Sequence, residues 1–147
     1  MHISLDWLKD FVELPKNLDP RDLAETLTLK TAEVDEIHDQ KAAFENMVVG
    51  QVTKLEAHPD ADKLKIARVT VGTGKDLQIV CGGSNLKEGM YVAVTKIGAL
   101  VRWHGQGDLV KVERVKVRGV ESEGMIAAGS EIGIDDPGAK ERDILDL

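Results

Sequence analysis

The sequence is poor in cysteine and has no long apolar run. Its single cysteine, Cys81, excludes a disulfide within the chain and is compatible with a reducing compartment. No apolar run approaches the roughly 18 residues that a membrane span requires. The N-terminal residues also lack the basic stretch and apolar core of a signal peptide. We therefore expect a cytoplasmic protein with no membrane association.

Positive charge is also scarce. The 147 residues include 19 Lys and Arg against 26 Asp and Glu, which gives a net charge of −7. This balance excludes a protein that holds nucleic acid through an overall positive charge, so any nucleic-acid site must be a local patch. With 42% apolar and 31% charged residues, the composition is that of a globular chain. The length allows one domain, or a small element attached to a domain of about 100 residues.

Patterns for metal binding and catalysis are missing as well. The four histidines and Cys81 have neither paired ligand spacing nor a zinc-protease motif. No serine has the Gly-x-Ser-x-Gly context of a nucleophile elbow. Cys81 ends an apolar strand pattern, so we interpret it as a small core residue. We expect no metal site and no catalysis by this chain alone.

The first 39 residues have helical signals. Ser4 is placed to cap a helix that ends before Pro15, and Asp19 with Pro20 starts a second helix. Trp7 and Phe11 are expected on the packing face of the first helix. The apolar residues recur at helical spacing: Leu5, Leu8, Phe11 and Val12, then Leu23 and Leu27. Residues 31–39 are predicted to be extended, which makes 1–39 a small α+β element.

The remaining residues, 40–147, have the texture of a β domain. Short β-branched runs alternate with glycine-rich corners, and residues 85–89 form a turn or helical corner. Five strands are predicted, over 48–57, 64–71, 77–81, 91–94 and 109–117. Five short strands with one helical corner favour an OB-type barrel. The predicted fold class is therefore mainly β, a five-stranded OB-type barrel preceded by the N-terminal α+β element.

The predicted fifth strand is rich in valine and in cations. A bulge near Glu113 and Arg114 would bring its four valines to one buried face, namely Val110, Val112, Val115 and Val117. The opposite face then presents four cations, Lys111, Arg114, Lys116 and Arg118. They form either an ordinary solvated strand face or a basic stripe for a phosphate backbone. Trp103, between Arg102 and His104, is either a base-stacking residue or a ring that closes one end of the barrel.

Several motifs together indicate a family. Residues 58–64 (His-Pro-Asp-Ala-Asp-Lys-Leu), 79–85 (Ile-Val-Cys-Gly-Gly-Ser-Asn) and 118–125 (Arg-Gly-Val-Glu-Ser-Glu-Gly-Met) resemble the tRNA-binding OB-fold domain of synthetase-associated proteins. Residues 3–8 and 27–34 narrow the resemblance to the N-terminal segment of the β subunit of bacterial phenylalanyl-tRNA synthetases. The resemblance covers essentially the whole chain.

The resemblance implies a non-catalytic, auxiliary tRNA-binding module of a phenylalanine–tRNA ligase. In that family the ATP, Mg²⁺ and phenylalanine sites lie in the α subunit, and an editing site lies further along the β subunit. This segment is therefore expected to need no cofactor. Its expected partners are tRNA, the α subunit and the remaining β-subunit domains of an α2β2 enzyme that performs ATP-dependent aminoacylation.

The family pattern also implies RNA-binding residues. It places Asn85, Ser122 and Met125 on the RNA-facing side, where an amide, a hydroxyl and a thioether can contact bases or a 2′-hydroxyl. Phosphate contacts would come from four cations, Lys63, Lys65, Lys116 and Arg118. Each of the first three also has a structural interpretation, as a turn residue, a cap and a core filler respectively.

A second function stays open on the charge pattern. Residues 1–44 contain 5 basic and 10 acidic residues, and residues 45–147 contain 14 and 16, which leaves the barrel at −2. A near-neutral barrel is also compatible with a structural interaction domain. Such a domain would pack on the rest of the synthetase without contacting RNA.

Overall fold

The computed structural model describes residues 2–134, 136–140 and 142–147. The chain divides into two compact units, Met1–Asp39 and Gln40–Leu147. Each unit is described by itself below. In the described residues, no helix is long and apolar enough to cross a membrane.

From residue 2 onward, the first unit contains two helices, α1 (Leu5–Leu8) and α2 (Pro20–Lys30). Both predicted caps are confirmed. The Trp7 backbone N–H donates to Ser4 Oγ at 3.4 Å, and the Arg21 backbone N–H donates to Asp19 Oδ1 at 2.8 Å. The cap side chains thereby satisfy N–H groups that the first turn of each helix cannot bond internally.

Two expectations for this unit are corrected. Helix α1 makes a single turn, so Phe11 lies beyond it and is 83% exposed, and Trp7 is 76% exposed. Neither ring therefore forms the expected packing face. Residues 32–39 form no strand, and the Val34 N–H donates instead to the Thr28 side chain at 3.0 Å. A strand needs a partner ladder, and no other strand is present in the described residues of this unit.

The second unit begins with the short helix α3 (Gln40–Ala43) and then consists of short strands. Its described residues contain nine strands: β1 (Met47–Ala57), β2 (Lys65–Thr70), β3 (Leu77–Cys81), β4 (Tyr91–Lys96), β5 (Leu100–Arg102), β6 (Leu109–Lys111), β7 (Val115–Val117), β8 (Val120–Ser122) and β9 (Gly124–Ile126). Five of them form one antiparallel sheet in the order β3-β2-β1-β4-β9. This sheet curls into a nearly closed barrel, which confirms the predicted fold class.

Strand β1 is long enough to pair with two neighbouring strands. Its first half pairs with β4 and its second half with β2, with a register shift between Val52 and Lys54. At the crossover, a Cβ on Gly50 would lie 2.7 Å from Val69 Cγ1 and 2.8 Å from Val94 Cγ2, so the bend closes only around glycine. The core inside the barrel is built from β-branched residues, including Val52, Val69, Ile79, Val92 and Val94.

The predicted fifth strand over 109–117 is corrected. It is divided into β6, which pairs with β5, and β7, which pairs with β8, while β9 supplies the fifth strand of the sheet. The Val112 N–H donates to the Ala99 carbonyl at 2.8 Å and the Gly98 N–H donates to the Val112 carbonyl at 2.8 Å. These bonds extend the β5–β6 pairing to Val112, and residues 112–114 form no strand before β7 begins, so the segment is not one bulged strand.

The valines of that segment therefore do not share one buried face. Val112 is 8% exposed, but Val110 is 47% and Val115 is 48% exposed, and Val117 is half-buried. The two short hairpins leave their outer residues without a covering layer.

Candidate nucleic-acid interface

The barrel closes through side chains rather than through a continuous ladder. At the edge where β3 meets β8 and β9, the Val80 N–H donates to Ser122 Oγ at 3.0 Å and the Gln78 N–H donates to Glu123 Oε2 at 3.2 Å. The Glu123 N–H donates to the Gln78 carbonyl at 2.8 Å, and Gln78 Nε2 donates to the Glu121 carbonyl at 2.8 Å. We call these five residues, 78, 80 and 121–123, the closing edge.

Ser122 lies inside this closing edge. Its side chain is 2% exposed, and its hydroxyl accepts from Val80 while donating to the Gly124 carbonyl at 2.8 Å. Both hydrogen-bonding functions of the hydroxyl are thus used by the protein. The structure gives Ser122 a structural role, and its contact with RNA stays a prediction.

Asn85 fastens the C-terminal segment to the barrel. Its Nδ2 donates to the Ile144 carbonyl at 2.9 Å, and its Oδ1 accepts from the Ile144 N–H at 2.9 Å. The neighbouring Ser84 hydroxyl donates to Asp143 Oδ1 at 2.6 Å, which lowers the pKa of that carboxyl. The Asn85 side-chain amide therefore pairs with the Ile144 backbone as a neighbouring strand would. Few of its hydrogen-bonding groups remain available for an RNA base.

Two more of the predicted contacts are partly withdrawn from solvent. Met125 is half-buried and packs against two apolar clusters, one around Ala127 and one around Val101. Lys65 is half-buried and its Nζ donates to the Leu86 carbonyl at 3.0 Å. For both residues the structure supplies a structural contact, and their contact with RNA is untested.

The three remaining cations, Lys63, Lys116 and Arg118, are exposed. Lys63 lies on the loop 58–64, and the other two lie on the β7–β8 hairpin. The loop and the hairpin are joined directly, because Arg118 Nη1 donates to the Asp60 carbonyl at 3.0 Å and His58 Nε2 lies 3.1 Å from the Val117 carbonyl oxygen. We call residues 58–64 and 115–120 the loop–hairpin surface.

Arg118 adopts an uncommon backbone conformation. Its φ is +44°, and the next residue, Gly119, has a φ of +86°. Two successive positive φ values are those of a type I′ turn, which favours Asn-Gly or Gly-Gly at these positions. A long cationic side chain at a strained position is a recurrent mark of a functional residue.

Only two of the four cations in the predicted basic stripe, Lys116 and Arg118, lie together on one hairpin and outside ion pairs among the described residues. Arg114 is engaged in ion pairs, with Glu121 Oε1 at 3.0 Å and with Glu123 Oε1 at 3.4 Å. Lys111 is exposed on β6, which belongs to a different hairpin from β7. The predicted cations that are exposed and lie on segments joined to each other are therefore those of the loop–hairpin surface.

A family model described as "Putative tRNA binding domain" matches residues 47–146. This match covers the whole barrel, including both parts of the loop–hairpin surface. The chain belongs to this tRNA-binding domain family.

Within this family, the chain is similar to the β subunits of bacterial phenylalanine–tRNA ligases. The chain is 41% identical over 135 residues to the phenylalanine–tRNA ligase β subunit of Shouchella clausii (strain KSM-K16), which covers 92% of this chain and 16% of the relative. It is 44% identical over 134 residues to the same subunit of Staphylococcus aureus (strain N315), which covers 91% and 16% respectively. The resemblance inferred from the motifs is thereby confirmed, and the chain spans about one sixth of the length of these relatives.

Among solved structures, the chain is similar to the C-terminal domain of Plasmodium vivax p43. The two are 30% identical with a TM-score of 0.40, over 55% of this chain and 44% of that one.

Two other residues considered in the sequence, Cys81 and Trp103, also lie in this tRNA-binding domain. Cys81 is buried, as predicted, and burial raises the pKa of its thiol. Within the described residues, no group of three or more His, Cys, Asp or Glu is placed to hold a metal ion. Trp103 is 57% exposed and meets His104 edge-on at 5.4 Å, so its ring does not close an end of the barrel.

The residue that sequence reasoning missed is His58. It was considered only as a possible metal ligand and as part of a family motif, yet it is 5% exposed and joins the loop to the hairpin. Its only signal in the sequence was its place before Pro59, where the chain must leave β1 in an extended conformation.

Proposed function

We propose that this chain is a non-catalytic tRNA-binding module of a phenylalanine–tRNA ligase, acting in the cytoplasm. Membership of the tRNA-binding domain family and the identity of over 40% to ligase β subunits support the proposal. In the whole enzyme, an α subunit and further β-subunit domains would complete an α2β2 assembly. Those other parts would bind ATP and Mg²⁺ and carry out the aminoacylation.

The observation that carries the proposal is the loop–hairpin surface. Its three cations are exposed, and none is within ion-pair distance of a carboxylate in the described part of the chain. Cations without a carboxylate partner attract phosphate without first having to break an ion pair. The same surface carries two exposed carboxylates, Asp60 and Asp62, so its net charge is +1, within a barrel that is otherwise near neutral.

Contacts of this kind would be tolerant of RNA sequence. Lysine and arginine bonds to phosphate fix position but do not distinguish bases. Because only about three phosphates can be contacted, binding should be weak, with a Kd of micromolar or above. The slope of log K against log salt should be roughly −2 to −3, at 0.7–0.9 per contact.

The test is a titration of the 147-residue chain with tRNA at about 50 and 200 mM salt, followed by fluorescence anisotropy. We expect affinity to fall roughly 20- to 40-fold across this range, which follows from the same slope. An affinity that does not change with salt would contradict phosphate contacts. No binding at the lower salt would contradict an autonomous RNA module.

One observation favours the second function, a structural interaction domain. Val49 and Tyr91 lie on the same face of the β1–β4 pair, and they are 60% and 50% exposed. Apolar side chains that adjoin on an exposed sheet face are one kind of surface that another protein can cover. If this face is an interaction surface, the isolated chain should self-associate in a sedimentation experiment, and Tyr91→Lys should make it monomeric. A chain that is monomeric at all concentrations would count against this function.

A further inference from the structure

We infer that His58 is a positioning residue for RNA binding, which holds the loop and the hairpin at the spacing that lets Lys63 and Arg118 contact one phosphate backbone together. This inference rests on the proposed function, because it concerns the same surface. It adds a role for a buried residue that does not itself touch RNA.

The hydrogen bonds of His58 define its state. The backbone N–H of Asp60 donates to Nδ1 at 3.1 Å, so Nδ1 must be an unprotonated acceptor. The Val117 carbonyl oxygen lies 3.1 Å from Nε2 and can only accept, so Nε2 carries the proton and donates. The ring is therefore neutral, in one tautomer, and both of its nitrogens are used while it is 5% exposed.

These two bonds hold different parts of the surface. The bond at Nδ1 is local, since it shapes the loop that leads from β1 to β2. The bond at Nε2 joins residues 59 positions apart in the chain. Removal of the second bond alone would leave the loop in shape but make its link to the hairpin depend on the exposed Arg118 bond to the Asp60 carbonyl.

The peptide of Asp60 is held from both sides. Its N–H donates to His58, and its carbonyl accepts from Arg118 Nη1 at 3.0 Å. The loop then turns tightly, with the Leu64 N–H donating to the Ala61 carbonyl at 3.0 Å. Lys63 lies within this turn, directly before Leu64. The spacing between Lys63 and Arg118 is thus set by the histidine, through Asp60 and Val117.

A fixed spacing matters because the two cations must engage neighbouring phosphates at the same time. A surface that is rigid before binding loses less conformational entropy on binding than a loop and a hairpin that move independently. The arginine bond to Asp60 uses one of the five guanidinium N–H donors, so Arg118 can keep this bond only in orientations that still present its other donors to phosphate. The bond from His58 to the Val117 carbonyl oxygen does not restrict the guanidinium group in this way.

Two substitutions separate the bonds of His58. In His58→Asn the amide oxygen lies near the position of Nδ1 and can accept from Asp60, as in an Asx turn, but the side chain is too short to reach Val117. In His58→Gln the longer amide places an N–H donor near the position of Nε2. His58→Asn therefore loses the hydrogen bond to the Val117 carbonyl, whereas His58→Gln can keep it.

The experiment measures tRNA affinity and its salt slope for both variants, with thermal unfolding as the check on folding. We expect His58→Asn to bind about three- to tenfold more weakly, with a slope smaller by about 0.7–0.9, as for the loss of one phosphate contact. We expect His58→Gln to restore affinity to within about twofold. Wild-type affinity and slope in His58→Asn would overturn the inference.

The two levels of failure are distinguishable. If the wild-type chain does not bind tRNA, the proposed function fails. If it binds but His58→Asn binds equally well, only the positioning role fails.

Should both variants unfold, the wild-type chain provides a second measurement. The amide signals of residues 58–64 and 115–119 are followed by NMR during addition of tRNA, and the His58 ring nitrogens report its tautomer. We expect these amides to shift together while the tautomer is kept. Unperturbed amides in either segment at saturating tRNA would overturn the inference.

Discussion

The closing edge and the loop–hairpin surface use neighbouring parts of one motif in opposite ways. Residues 118–125 begin at the exposed turn of the β7–β8 hairpin and end inside the barrel. Arg118, at the first end, points its guanidinium group at a backbone carbonyl and remains exposed. Ser122, four residues later, has lost essentially all contact with solvent.

The difference shows how burial decides the role of a polar residue. A buried hydroxyl must be hydrogen-bonded within the protein, and once it is bonded it stabilises the fold and cannot also bind a ligand. An exposed cation contributes little to stability and keeps its charge available. We therefore expect substitutions at the closing edge to change stability, and substitutions at the loop–hairpin surface to change RNA affinity.

The largest effect is expected for Ser122→Ala. It leaves the Val80 N–H and the Gly124 carbonyl without their partner in a buried site, which costs about 1–3 kcal/mol. Urea unfolding of the variant and of the wild type measures this loss. The exposed Ser130→Ala serves as control and should change the free energy of unfolding by less than about 0.5 kcal/mol.

The same variant also tests the comparison. Under conditions where Ser122→Ala is fully folded, its tRNA affinity should stay within about twofold of wild type. A tenfold loss would show that Ser122 contacts RNA, and the distinction between the two regions would then be wrong.

A somewhat smaller loss is expected for Asn85→Ala. Two hydrogen bonds to Ile144 disappear at a half-buried site, which costs about 1–2 kcal/mol. Hydrogen exchange should show lower protection for the Leu145 and Leu147 amides, which donate to the Ala127 and Tyr91 carbonyls. The barrel strands should keep their protection relative to the global stability. Unchanged exchange in the C-terminal segment would contradict the fastening role of Asn85.

The turn itself offers a substitution that should weaken RNA binding with little net change in stability. Arg118→Asn relieves about 1 kcal/mol of left-handed strain, because asparagine tolerates a positive φ. It also removes the hydrogen bond to Asp60, of similar size, so the free energy of unfolding should change by less than about 1 kcal/mol. The tRNA affinity should fall several-fold and the salt slope by about 0.7–0.9. Unaltered affinity would remove Arg118 from the interface.

Cys81, on β3 next to the closing edge, provides the most subtle test. Burial raises the pKa of its thiol, so at pH 7–8 a smaller fraction is the reactive thiolate than for an exposed cysteine. Alkylation by iodoacetamide should therefore be at least about tenfold slower than in the urea-unfolded chain. In Ser122→Ala the rate should rise by about tenfold for each 1.4 kcal/mol of lost stability. Equal alkylation rates in the wild type and in Ser122→Ala would show that the Ser122 hydroxyl does not stabilise the closing edge.

Much of this architecture could be predicted from local signals. The caps at Ser4 and Asp19 need only residues within one helical turn, and the first four strands follow from β-branched runs between glycine and proline. Of the cations on the loop–hairpin surface, Lys116 and Arg118 were noted from the valine- and cation-rich strand pattern, whereas Lys63 came from the family resemblance.

What could not be predicted depends on contacts between distant residues. The division of the segment 109–117 follows from the hydrogen bonds of Val112 to Gly98 and Ala99, which no local pattern reveals. The same is true of Ser122, whose partner Val80 lies 42 positions away. The role of His58 depends on Val117 in the same way.

The most direct test of the account is a tRNA titration, at two salt concentrations, of Lys116→Ala/Arg118→Ala beside a charge-matched control, Lys16→Ala/Lys30→Ala. We predict that the first variant loses at least about tenfold in affinity and has a smaller salt slope by about 1.4–1.8, with little change in stability. The control, whose lysines are exposed in the first unit, should bind like wild type. Equal affinity for both variants and wild type would contradict the assignment of RNA binding to the loop–hairpin surface.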